Sequence, residues 1–106
     1  MTEIRFYSLK GNLTGFEISG HSGYAEEGSD IVCASISSCA YMVCNTATEI
    51  VGVKADIEVD DGYMSFSVSL SDSEEIKVLM EGFEMHVKAL AEDYKDFIRC
   101  KKENIQ

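Results

Sequence analysis

Proline is absent from the chain, and low-complexity tracts and internal repeats are missing too, so no proline-rich linker or tail divides the sequence. The cysteines Cys33, Cys39, Cys44 and Cys100 include no CxxC pair, and neither His21 nor His86 has a cysteine or second histidine within four residues. Zinc ligands usually arrive as closely spaced pairs, so this pattern argues against a metal site. The opening residues, MTEIRFYSLKGN, lack the apolar run of a secretory signal, and no segment approaches the ~20 apolar residues of a membrane span. The expectation is a cytoplasmic protein with reduced thiols, no disulfide framework, no membrane association and no cofactor.

Positive charge is scarce as well. Nine Lys and Arg stand against 19 Asp and Glu, a formal net charge of -10 at pH 7. The acidic excess runs through both halves of the chain, so it marks no tail. Such a surface repels phosphate backbones, which removes support for direct nucleic-acid binding, and it attracts a basic protein partner. With 106 residues, the chain fits a single domain, 1–106, with a modest core.

What is present is clear patterning. Glu3 to Leu9 sets Ile4, Phe6 and Ser8 opposite Arg5, Tyr7 and Leu9, and Gly11-Asn12 interrupts before Leu13 to Ser19, which predicts two strands joined by a turn. After the segment Gly20 to Ser29, Asp30 is a candidate helix cap. Ile36, Ala40, Val43, Ala47 and Ile50 then recur at helical spacing until Gly52. Val53, Ala55, Ile57 and Val59 alternate with charged residues up to Asp61-Gly62, where the chain reverses into Tyr63 to Leu70, a second hairpin.

Ser71 and Asp72, each followed three residues on by a glutamate, resemble capping boxes. Behind them, Ile76, Leu79, Met80, Phe83, Val87, Leu90 and Tyr94 form the apolar stripe of a second long helix, and Phe97 to Lys102 reads as a short last strand. The order β-β-α-β-β-α-β predicts an α+β fold of two layers, a mixed or antiparallel sheet packed on one side by two helices.

The chemistry concentrates in GHSGYAEEGSDIVCASIS, Gly20 to Ser37, where His21 and Cys33 stand twelve residues apart. If Asp30 caps the helix, Cys33 falls in its first turn, where unpaired N–H groups and the helix dipole favour a thiolate. A histidine within reach would favour the thiolate further and supply the proton a leaving amine needs, as in a cysteine hydrolase. The spacing alone favours a small buried cysteine opening a helix and a solvated histidine ending a strand. Asp30 is most economically a cap, with orientation of His21 as the alternative role, and Ser37 lies one turn beyond Cys33 on the same face. Cys39, Cys44 and Cys100 read as structural thiols, with Cys44 facing the core, and His86 as a residue at the boundary of the second helix.

The same stretch resembles the signature of the bacterial ribosomal-processing cysteine protease family, Prp, of the form G-H-x-x-[YHG]-x-x-x-G-x-D-I-V-C-A followed shortly by Ser. Gly20, His21, Gly28, Asp30, Ile31, Val32, Cys33, Ala34 and Ser37 carry the match. The resemblance implies a homodimeric endopeptidase that removes an N-terminal extension from a basic large-subunit ribosomal protein, the one numbered twenty-seven. It implies Cys33 as nucleophile, His21 as general base and acid, and Asp30 and Ser37 as supporting residues. Gly20, Gly23 and Gly28 would then let the intervening segment admit a peptide, with N–H groups at the helix start stabilising the oxyanion. Two rivals remain open at this point: a non-catalytic homodimeric module that binds a ribosomal protein or assembly factor, and a Cys-His hydrolase acting on a thioester or small amide.

Overall fold

The alternation of the first twenty residues becomes a hairpin of β1 (Thr2–Leu9) and β2 (Asn12–Ser19). The structure, a computed structural model, describes residues 1–20 and 27–105. The turn is Lys10-Gly11, one residue earlier than expected. Both residues have positive φ, 52° and 85°, the local twist that a two-residue hairpin turn requires. The second hairpin pairs β3 (Asp56–Asp60) with β4 (Tyr63–Ser67) through Asp61-Gly62, with Gly62 at φ 69°.

Helix α1 runs from Glu27–Asn45 and passes into a π-helical turn, Thr46–Val51, closed by Gly52 at φ 89°. A short helix, α2 (Leu70–Glu75), and a long one, α3 (Lys77–Asp93), follow β4. The last strand is β5 (Ile98–Asn104). The sheet is mixed, in the order β3-β4-β2-β1-β5, with β5 parallel to β1 and every other pair antiparallel.

One face of this sheet carries the core. Ile4, Phe6, Phe16, Ile18, Met64, Phe66 and Ile98 project to the side where α1 and α3 contribute Val32, Ile36, Ala40, Val43, Met80, Phe83 and Val87. Phe16 joins the layers, stacking on Phe66 at 5.2 Å between ring centroids and meeting Phe83 edge-on at 4.9 Å. On the opposite face, Arg5 pairs with Glu103 and Lys101 with Glu3, each at 3.1 Å, tying β5 to β1. The expected α+β class and two-layer architecture are therefore observed.

Several boundaries differ from the sequence reading: β3 begins at Asp56 rather than Val53, β4 ends at Ser67 with Leu70 opening α2, and the last strand runs Ile98–Asn104 rather than Phe97 to Lys102. Helix α1 begins at Glu27, so Asp30 and Gly28 are helical rather than cap and loop, and Cys33 lies in the second turn. Without a proline to stop it, a helix can extend upstream of a good capping residue. Ile50, expected in the buried stripe, is 80% exposed. The π-helical turn advances less than 100° per residue, so it slips the phase of the stripe after Ala47. The second helix is capped by Ser69, whose side chain accepts from the Asp72 N–H, instead of by Ser71 or Asp72, and it breaks at Ile76.

One further expectation is corrected. Ile31–Val51 is long and apolar enough to cross a membrane by length and composition. In the fold, Val32, Ile36, Ala40, Val43, Cys44 and Ala47 of this segment join the core, while Ile31, Tyr41, Met42, Ile50 and Val51 are exposed.

Candidate active site

The second face of α1 builds the site. Its buried stripe, Val32, Ile36, Ala40 and Val43, fixes the helix on the sheet. Cys33, Ser37 and Tyr41, one residue further round at successive turns, then face a cleft of about 260 Å³ at the end of the sheet. The opposite wall comes from Ile18 and Gly20 of and after β2, from Thr2 of β1, and from Val59, Asp60, Asp61, Gly62, Tyr63 and Met64 of the second hairpin. The hairpin is drawn up to β2 by the Gly20 N–H, which donates to the Gly62 carbonyl at 3.0 Å.

Cys33 is half-buried, and its Sγ lies 3.0 Å from the Thr2 Oγ1, with either atom able to donate. Tyr63 donates its phenol hydrogen to Glu17 Oε2 at 2.8 Å, and that bond is the main cause holding its ionisation above the usual tyrosine range. None of the other three cysteines lines this cleft. Cys44 is in the core and Cys100 half-buried under α3, and desolvation pushes both thiols up, away from thiolate chemistry. Cys39 and His86 line a separate apolar groove between α1 and α3. All four cysteines are unbridged.

Of the residues singled out from the sequence, Cys33, Ser37 and Gly20 come together at the cleft. Asp30 and Gly28 lie on the first turn of α1. His21 and Gly23 lie outside the described residues. The first turn of α1, residues 27–30, lies about a turn before Cys33. Thr2, Tyr41, Val59, Asp60 and Asp61 were missed. Tyr41 was within reach of helical periodicity, eight residues beyond Cys33; the others arrive only through sheet pairing. Among the described residues, no three His, Cys, Asp or Glu side chains form a group able to hold a metal.

A half-buried thiol on a helix, facing a cleft at one end of a two-layer α+β sheet, fits the class of a cysteine hydrolase. Comparison with known proteins narrows this. The chain matches the family described as cysteine protease Prp over residues 1–99. It is 32% identical over 102 residues to the ribosomal processing cysteine protease Prp of Bacillus subtilis (strain 168), covering 91% of this chain and 90% of that protein. It is 26% identical over 92 residues to the protein of the same name from Staphylococcus aureus (strain Mu50), covering 85% and 87%.

Among solved structures, SMU.848 from Streptococcus mutans superposes with a TM-score of 0.90 at 31% identity, covering 99% of this chain and 96% of that one. The Prp of S. aureus, solved with a substrate peptide, has the same fold, with a TM-score of 0.88 at 22% identity and coverage of 97% and 100%. The chain belongs to the Prp family of cysteine proteases.

Proposed function

We propose that this cysteine protease is a ribosomal-processing endopeptidase that removes an N-terminal extension from a basic large-subunit ribosomal protein, the one numbered twenty-seven, with Cys33 as nucleophile and His21 as general base and acid. The observation that carries the assignment is the position of Cys33 on the wall of a cleft that Gly20 also lines. Gly20 immediately precedes His21 in the sequence, which supports assigning the two residues to one site. The names of the curated relatives support the ribosomal substrate.

In the reaction, His21 takes the Cys33 proton and the sulfur attacks the scissile carbonyl carbon. Collapse of the tetrahedral intermediate breaks the C–N bond as His21 protonates the departing amine, leaving a thioester on Cys33. Water, deprotonated by His21, then releases the acid product and restores the thiol. Ser37, one turn beyond Cys33 in the same cleft, supports the bound peptide, and Asp30 supports the dyad from the start of α1. The enzyme works in the cytoplasm as a homodimer, and its acidic surface attracts the basic body of the substrate.

The test is incubation of the wild type, Cys33→Ala and His21→Ala with the full-length extended ribosomal protein, followed by mass measurement. Loss of a short N-terminal peptide with the wild type alone is the expected result. Tight binding without any mass change in the wild type would overturn catalysis in favour of a binding module.

A further inference from the structure

Thr2 opens β1 on the core face of the sheet and is 3% exposed. Two anchors hold it: its N–H donates to the Phe97 carbonyl at 2.8 Å, and its Cα stands in register with Ile98 of β5. A β-branched side chain in a strand has few χ1 options, so a threonine fixed in this way presents its hydroxyl in a set direction. That direction is toward α1, and the hydroxyl oxygen lies 3.0 Å from Cys33 Sγ across 31 positions of sequence.

The two groups are chemically matched in both states of the sulfur. As a thiol, Cys33 and the Thr2 hydroxyl can each donate to the other. As a thiolate, the sulfur can only accept, and the hydroxyl rotates to donate. A hydrogen bond to an ionised partner is stronger than one between neutral groups, so the contact strengthens at the step that creates the nucleophile. The bond also restrains rotation of the Cys33 side chain at the cleft wall.

We propose that Thr2 is a positioning residue for the Cys33 nucleophile, its hydroxyl donating to the sulfur anion and holding it toward the cleft. The proposal rests on Cys33 being the nucleophile. It assigns a role in the site to a residue outside the Gly20 to Ser37 motif, on the opposite layer of the fold.

The test uses the full chain with Thr2→Val, which keeps the branched shape and removes the donor, and Thr2→Ser, which keeps the donor and removes the methyl. Two quantities are read at one fixed pH: the rate of iodoacetamide labelling at Cys33, located by peptide mass mapping, and kcat and KM on the extended ribosomal protein. Thr2→Val is expected to slow labelling and kcat by about tenfold, the scale of a hydrogen bond to a charged group. KM should stay within about twofold, because the contact is to the nucleophile and not to the peptide. Thr2→Ser should recover most of both rates. Wild-type rates in Thr2→Val, or equal losses in the two variants, would overturn the proposal, the second result showing a packing role. A wild type that labels at Cys33 yet leaves the ribosomal protein intact would remove the substrate reading, and the labelling ratio would still decide the role of Thr2.

Discussion

Gly20 sits at the exit of β2 with φ 81°, and a Cβ built there would lie 2.5 Å from the carbonyl oxygen of Met1. Both features oppose any other residue. The left-handed backbone costs an L side chain about 1–2 kcal/mol, and the clash is with backbone that cannot rotate away. Met1 precedes Thr2, so displacement of that carbonyl is transmitted to the hydroxyl beside Cys33. Gly20→Ala is therefore expected to lower the melting temperature by roughly 4–8 °C for each kcal/mol lost and to slow labelling of Cys33, read by thermal circular dichroism and by mass mapping. An unchanged labelling rate at a lowered melting temperature would confine Gly20 to a structural role. The sequence reading gave Gly20 to the mobility of the following segment; the close approach to Met1 is a contact between strands that adjacent sequence cannot reveal. Thr2 was illegible for the same reason. Cys33 stood out because its motif is local, whereas the hydroxyl beside it is brought there by the seating of α1 over the end of β1.

Helix α1 carries two stripes with different duties, so damage to one is felt in the other. Ile36 is fully buried, one residue short of Ser37 and three beyond Cys33. Ile36→Ala should cost about 2–5 kcal/mol, the range for removing a large aliphatic side chain from a packed core. Urea denaturation should give a lower midpoint, and kcat/KM should fall by more than the loss of folded protein explains, because the helix that holds the sulfur reseats. A drop in stability with unchanged specific activity of the folded fraction would show that α1 holds Cys33 in place without Ile36. At this scale, periodicity was informative: it identified both hairpins, the buried face of α1 and the apolar stripe of α3. It could not show where helices stop covering the sheet. Ile57 and Val59 alternate as a half-buried strand should, yet they are 39% and 54% exposed, because β3 lies at the sheet edge beyond the helical layer. That exposure lets Val59 line the cleft.

Charge acts over the whole molecule. A net charge of -10 on a chain of this length surrounds the protein with a negative potential, and Asp60 and Asp61 bring part of it to the cleft itself. The proposed substrate, a basic ribosomal protein, would gain from long-range attraction to this surface before any contact forms, so the benefit belongs to capture and not to the chemical step. Added salt removes the long-range part, because the screening length falls from about 30 Å at 0.01 M to about 3 Å at 1 M. Accordingly kcat/KM on the full-length substrate should fall steeply as salt rises while kcat holds. An uncharged peptide spanning only the scissile bond should show a nearly flat kcat/KM over the same range. The pair of substrates separates steering from any direct effect of salt on the enzyme: equal slopes for both would place the sensitivity in the cleft, and a flat response for both would mean that the acidic surface serves solubility and takes no part in capture.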